Sequence, residues 1–205
     1  MLKKWLNKKN NDSLIVFLNG WGMDESVVSH LEFGNFDVLH VNNYQTFEKI
    51  SFEKYSKNYL VAWSMGVLAS NLLDFSYFDK KIALAGTNRM IDDDFGIPKR
   101  VYDLTVNHFS EKSAKRFLIN MFQNEIPIQI NISKSTSDLK DELIFFQNLK
   151  TDKETNFDKV FIPKQDKIVP FKNQMAYWQD KCEIEIINTS HYVFSNFKQW
   201  AQIVC

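Results

Sequence analysis

The sequence predicts an α/β fold: a mostly parallel sheet of about six strands, helices on both faces and a small helical lid. Three observations carry this. Short, nearly continuous apolar runs recur along the chain, as strands buried on both faces do. Helix-like stretches separate them, which implies βαβ units. One long segment, about 98–158, breaks the alternation with helical patterns alone.

The expected strands are Leu14–Leu18, Asp37–Val41, Tyr59–Trp63, Ile82–Ala85, Lys159–Ile162 and Glu183–Ile187. Expected helices cover Asp24–Leu31, Gly66–Leu73, Pro170–Asp180 and Phe194–Val204. Inside the interruption, Ser113–Phe122 pairs Phe117 with Met121 and Leu118 with Phe122, forming one apolar face. Leu139–Leu149 is a second helical pattern there. So long an insertion before the last two strands reads as a lid rather than as further sheet-covering helices.

The 205 residues suit one domain, and a hydrophobic fraction of 44% is ample for a packed core. The heavy aromatic load serves packing first. Twenty-five basic residues balance 25 acidic ones, which argues against a nucleic-acid footprint and leaves any charged recognition to a local patch. Cys182 and Cys205 have neither disulfide-framework nor metal spacing, so two free thiols and a reducing cytoplasm are expected. The N-terminus carries Lys3, Lys4, Lys8 and Lys9 but no apolar core of a secretory signal. No apolar run approaches the ~20 residues of a membrane helix. The expectation is a monomer without metal or organic cofactor.

The chemical signal lies in Tyr59-Leu60-Val61-Ala62-Trp63-Ser64-Met65-Gly66. An apolar strand enters small-x-Ser-x-small and a helix follows, the context of a nucleophile elbow with Ala62 in place of the first glycine. The strained turn needs small residues two before and two after the serine. It lifts the Ser64 hydroxyl above the sheet and sets the Met65 N–H where it can stabilise an oxyanion. An acid and then a histidine must follow. His30 and His40 precede Ser64, and His108 falls in the insertion. His191, after the last strand, is placed to be the general base. The acid is expected after the preceding strand, at Asp166, with Asp92, Asp93 and Asp94 as rivals after the fourth strand. After the first strand, Gly20 and Gly22 flank Trp21, whose N–H would be the second oxyanion donor.

LNGWGMD, AWSMG, AGTNRMIDDDFGIP, QDKIVPFKNQMAYW and SHYVF, in this order and spacing, resemble the short pimeloyl-acyl carrier protein methyl ester esterases of biotin synthesis, the BioG type. One difference is Ala85-Gly86-Thr87, where Asn-Gly-Thr would be expected. The resemblance implies an α/β-hydrolase with Ser64, Asp166 and His191 as triad and Trp21 with Met65 as oxyanion hole. It also implies an acidic acyl carrier protein as partner. A basic patch on the lid would suit such a partner: Lys99, Arg100, Lys112, Lys115 and Arg116, of which the last three share one helical face.

Overall fold

A computed structural model of the chain describes residues 1–46, 55–123, 134–151 and 153–205. Parts of the predicted 98–158 insertion, residues 124–133 and 152, lie outside the described residues.

Among the described residues seven strands form one sheet: β1 (Leu2–Asn7), β2 (Ser13–Leu18), β3 (Phe36–Asn42), β4 (Lys57–Trp63), β5 (Lys80–Leu84), β6 (Lys159–Pro163) and β7 (Glu183–Ile187). Their spatial order is β1-β3-β2-β4-β5-β6-β7. All neighbours from β3 to β7 run parallel, and only β1 is antiparallel, against β3. The six expected strands are therefore present, and a seventh sits at the edge. β1 is mostly exposed and rich in lysine, so it lacks the apolar run that marks a buried strand. Its lysines also blunt the free edge.

The central strands β2 and β4 separate two apolar layers. Leu14, Val16, Leu18, Leu60 and Ala62 face one side. They pack there with α1 (Met65–Ala69) and α5 (Phe171–Trp178). Ile15, Phe17, Val61 and Trp63 face the other, with Val27, Val28 and the C-terminal segment from Val193 to Val204. Strict alternation along strands that are wholly buried is why both sets read as unbroken apolar runs.

Three expected helices are shorter or more broken than their patterns suggested, the first being Gly66–Leu73, which is α1 (Met65–Ala69) followed by a 3-10 turn at Ser70–Leu72. Asp24–Leu31 contains one 3-10 turn, Glu25–Val28, capped by the Asp24 carboxylate on Ser26 N. The stretch Phe194–Val204 resolves into a 3-10 turn at Phe194–Asn196 and α6 (Ala201–Val204). The last two are tied by tertiary contacts instead: Glu32 N donates to Lys198 O and Trp200 N to Glu32 O.

Between β5 and β6 stand α2 (Lys99–Asn107), α3 (Glu111–Phe122) and α4 (Thr136–Asn148). α3 begins with a capping box between Ser110 and Ser113. α4 starts with the Ser135 hydroxyl on Asp138 N. Tyr102, Leu139, Leu143 and Phe146 anchor α2 and α4 in the first apolar layer, and Met121 and Phe122 anchor α3 in the second. No helix among the described residues is long and apolar enough to cross a membrane.

Candidate active site

Ser64 stands between β4 and α1 with φ 56° and ψ −122°, a positive-φ conformation that a residue with a side chain rarely adopts. The surrounding packing holds it there. Ser64 N donates to Leu84 O at 2.9 Å, and Val67 N donates to Ser64 O at 2.9 Å. Space is scarce on both sides. A Cβ at Gly66 would lie 2.3 Å from Leu18 O, and one at Gly86 would lie 2.7 Å from Ser64 O. The small residue two before Ser64, Ala62, is fully buried. Ala85 follows β5 at φ 48°, a conformation more often taken by asparagine, so the Ala-Gly-Thr variation sits at a strained position.

The loop after β7 brings His191 to Ser64. His191 Nε2 lies 2.8 Å from Ser64 Oγ, and its Nδ1 lies 2.8 Å from Asp166 Oδ2. The His191 and Asp166 side chains are fully buried. The Trp63 indole donates to His191 O at 3.1 Å and packs beside its ring. Asp166, after β6, is held by three donors besides His191. Ile168 N and Val169 N donate to Oδ1 at 2.7 and 2.9 Å, and Gln174 Nε2 donates to Oδ2 at 2.9 Å beside His191. The aspartate run after β5 has other work. Asp92 Oδ1 accepts from Asp94 N and Phe95 N, Asp93 Oδ1 accepts from Lys99 N at the start of α2, and Asp94 is exposed.

The loop after β2 passes beside Ser64. Gly20 N donates to Asn19 Oδ1, Gly22 N to Glu142 Oε2 and Met23 N to Gly20 O. Among the described residues, neither Trp21 N nor Met65 N has an acceptor. The Trp21 indole donates to Leu139 O on α4, and its ring meets Phe109 and Phe117 edge-on. Behind the loop, Asn19 Nδ2 donates to Asp24 O and to His40 Nε2 at 2.9 Å. Burial lowers the His40 pKa to about 4 and keeps the ring neutral, as an acceptor there must be.

Ser64 opens into a cavity of about 580 Å³. Trp21, Met65, Tyr102, Leu104, Phe117 and Ile168 form most of its apolar wall. His108, Arg116 and Lys167 add cationic or polarisable groups to the lining. The wall beside Ser64 is therefore mainly apolar.

A family model described as Pimeloyl-ACP methyl esterase BioG matches residues 1–203. The chain belongs to the BioG family. It is an ester hydrolase on an α/β-hydrolase fold. The crystal structure of selenomethionine BioG from Haemophilus influenzae superposes with a TM-score of 0.89 over 100% of both chains, at 27% identity. A Bacteroides fragilis malonyl-[acyl-carrier protein] O-methyltransferase is 32% identical over 191 residues, which are 87% of this chain but only 39% of that longer protein. The Exiguobacterium antarcticum esterase EaEST shares the fold, with a TM-score of 0.71 at 14% identity over 95% of this chain and 89% of its own.

Set against the sequence expectations, the structure brings Ser64, Asp166 and His191 into one hydrogen-bonded chain and sets Trp21 and Met65 on the cavity wall. The expected basic patch divides. Lys99 and Arg100 begin α2, while Lys112, Lys115 and Arg116 lie exposed on α3. Of the five, Arg116 alone lines the cavity. Sequence reasoning passed over Lys167, Gln174 and Glu142. Lys167 adjoins Asp166 and was within reach of the motif. The other two sit on helices whose patterns carry no sign of what they meet.

Proposed function

We propose that the protein hydrolyses the methyl ester of pimeloyl-acyl carrier protein by a serine acyl-enzyme mechanism. The observation that carries this is the unbroken chain Ser64 Oγ–His191 Nε2 and His191 Nδ1–Asp166 Oδ2, both links 2.8 Å, on the wall of an apolar cavity. Ser64 Oγ attacks the ester carbonyl while His191 takes its proton, and Asp166 steadies the imidazolium. The N–H groups of Trp21 and Met65 receive the oxyanion. Collapse of the tetrahedral intermediate breaks the acyl–OCH₃ bond, and His191 returns the proton to methoxide, releasing methanol. Water, deprotonated by His191, then attacks the acyl-enzyme; the acyl–Oγ bond breaks, His191 returns the proton to Ser64 Oγ, and the pimeloyl carboxyl group is freed and ionises.

The carrier-bound substrate is supported by membership of the BioG family and by the likeness to a carrier-protein methyltransferase. The cavity accepts the apolar acyl chain. α2, α3 and α4 act as the lid, and Lys99, Arg100, Lys112, Lys115 and Arg116 on its surface meet the acidic carrier protein. Incubation with pimeloyl-acyl carrier protein methyl ester, read by gel shift, should show cleavage by the wild type and none by Ser64→Ala. Cleavage of simple esters with no action on the carrier-bound substrate would sink the carrier-protein assignment. Charge reversal of Lys112, Lys115 and Arg116 should lower kcat/KM on the carrier substrate at low salt, and an unchanged value would remove the docking patch.

A further inference from the structure

Glu142, on α4, is fully buried and takes no part in the Ser64–His191–Asp166 chain. A buried carboxylate is costly unless it is paired and hydrogen-bonded. Glu142 meets both conditions. Lys134 Nζ lies 3.0 Å from Oε2, Gly22 N donates to Oε2 at 3.3 Å, and Tyr44 N donates to Oε1 at 3.1 Å. Two of these donors belong to the loops that follow β2 and β3, at the end of the sheet where Ser64 stands.

The contact with Gly22 bears directly on Trp21. Of the four successive N–H groups from Gly20 to Met23, those of Gly20, Gly22 and Met23 are each taken by an acceptor in the protein. That of Trp21 has none among the described residues. With the peptides on both sides fixed, the Trp21 N–H is left without an acceptor within the loop. α4 holds the same loop a second time, since the Trp21 indole donates to Leu139 O one turn before Glu142. The approach is close: Gly22 has φ +72°, and a Cβ there would lie 2.8 Å from the Leu139 side chain.

We propose that Glu142 is a positioning residue. It holds the Gly20–Gly22 loop so that the Trp21 N–H points at the developing oxyanion, and Lys134 balances its charge so that the carboxylate does not oppose that oxyanion. This rests on the reading of Trp21 as an oxyanion donor. It makes α4 part of the frame of the oxyanion hole as well as a cover for the cavity. A glutamine at 142 keeps one acceptor oxygen and turns an NH₂ toward the second backbone donor, so one of Gly22 N and Tyr44 N loses its partner.

The test uses the full chain and p-nitrophenyl butyrate. Glu142→Gln should lower kcat by about ten-fold or more, a fraction of what outright loss of an oxyanion donor costs. KM should stay within about two-fold, because the interaction lost belongs to the transition state. The Ki of butylboronic acid, whose tetrahedral adduct uses the same donors, should rise by the same factor as kcat falls. The shape of the pH–rate profile should not change. A Glu142→Gln protein that melts lower but keeps wild-type kcat and boronate affinity would overturn the proposal, since a purely structural role predicts that outcome. If Glu142→Gln does not fold, Lys134→Met decides: a several-fold fall in kcat at constant KM supports the proposal, and wild-type kcat overturns it. Ser64→Ala run alongside separates the two readings. Hydrolysis that survives it refutes the nucleophile, whereas its loss together with an unaffected Glu142→Gln refutes only the positioning role.

Discussion

Asp166→Asn tests the proposed mechanism at one atom pair, and its outcome can be worked from the surroundings of the carboxylate. Oδ1 accepts from Ile168 N and Val169 N, two backbone donors that cannot turn away. In the asparagine variant the amide oxygen must therefore occupy the Oδ1 position, and the NH₂ takes the place of Oδ2. There it faces His191 Nδ1 and Gln174 Nε2, both donors to Oδ2 in the wild type. Gln174 can adapt. Its Oε1 is buried without a hydrogen-bond partner among the described residues, so turning the amide offers that oxygen to the new NH₂ and gives up the bond to Val169 O. The fold should survive at a cost of about 1 kcal/mol, that of one neutral hydrogen bond. His191 can adapt only by moving its proton from Nδ1 to Nε2. That tautomer presents an N–H to Ser64 Oγ and cannot take its proton. The expected loss is about 10⁴ in kcat, or about 5 kcal/mol of transition-state stabilisation. The assay is p-nitrophenyl butyrate hydrolysis at neutral pH, with a thermal melt to show the fold is intact. A well-folded Asp166→Asn protein within ten-fold of wild-type kcat would refute the tautomer argument and the role of Asp166 with it.

Two further predictions concern the scaffold. Gly66→Ala places a methyl 2.3 Å from Leu18 O, a backbone atom of a central strand, so β2 or the elbow must move. A destabilisation of about 1–3 kcal/mol with loss of esterase activity is expected, and a variant with wild-type melting temperature and kcat would contradict the packing described. His40 links stability to pH. Burial lowers its folded pKa to about 4, below the unfolded value of 6.5, so between these pH values the unfolded chain binds a proton that the folded chain does not. Stability from this group is complete above pH 6.5, falls by about 3 kcal/mol as pH drops to 4, and is flat below. His40→Gln, which keeps an acceptor for Asn19, should melt with a shallower pH dependence across that window. Parallel wild-type and mutant curves from pH 6.5 to 4 would show that His40 is not the group responsible.

The parts of this protein that local rules govern were legible from the chain. The runs of β2, β4 and β5 are apolar because both faces of each strand are covered, and that requirement acts on every residue of the strand. Ala62 and Gly66 are small because the strained Ser64 turn has no room beside it, as the 2.3 Å approach to Leu18 O makes concrete. The order of Ser64, Asp166 and His191 follows from the order of the strands whose ends they occupy. Tertiary structure decided what depends on segments far apart in sequence. β1 exists as a strand because β3 offers it an edge 31 to 40 residues on, while its own exposed, lysine-rich residues show no pattern. That Asp166 meets His191, while Asp92 and Asp93 accept from backbone N–H groups of their own turn and of the start of α2, depends on how the loops after β5, β6 and β7 come together. Gln174 and Glu142 are ordinary polar positions on helices when read in sequence. Each has a partner only because folding brings α5 against the Asp166 loop and α4 against the Gly20–Gly22 loop. A hydrogen bond between side chain and loop leaves no periodic trace, because it is made by one atom at one place, whereas burial is imposed along a whole face.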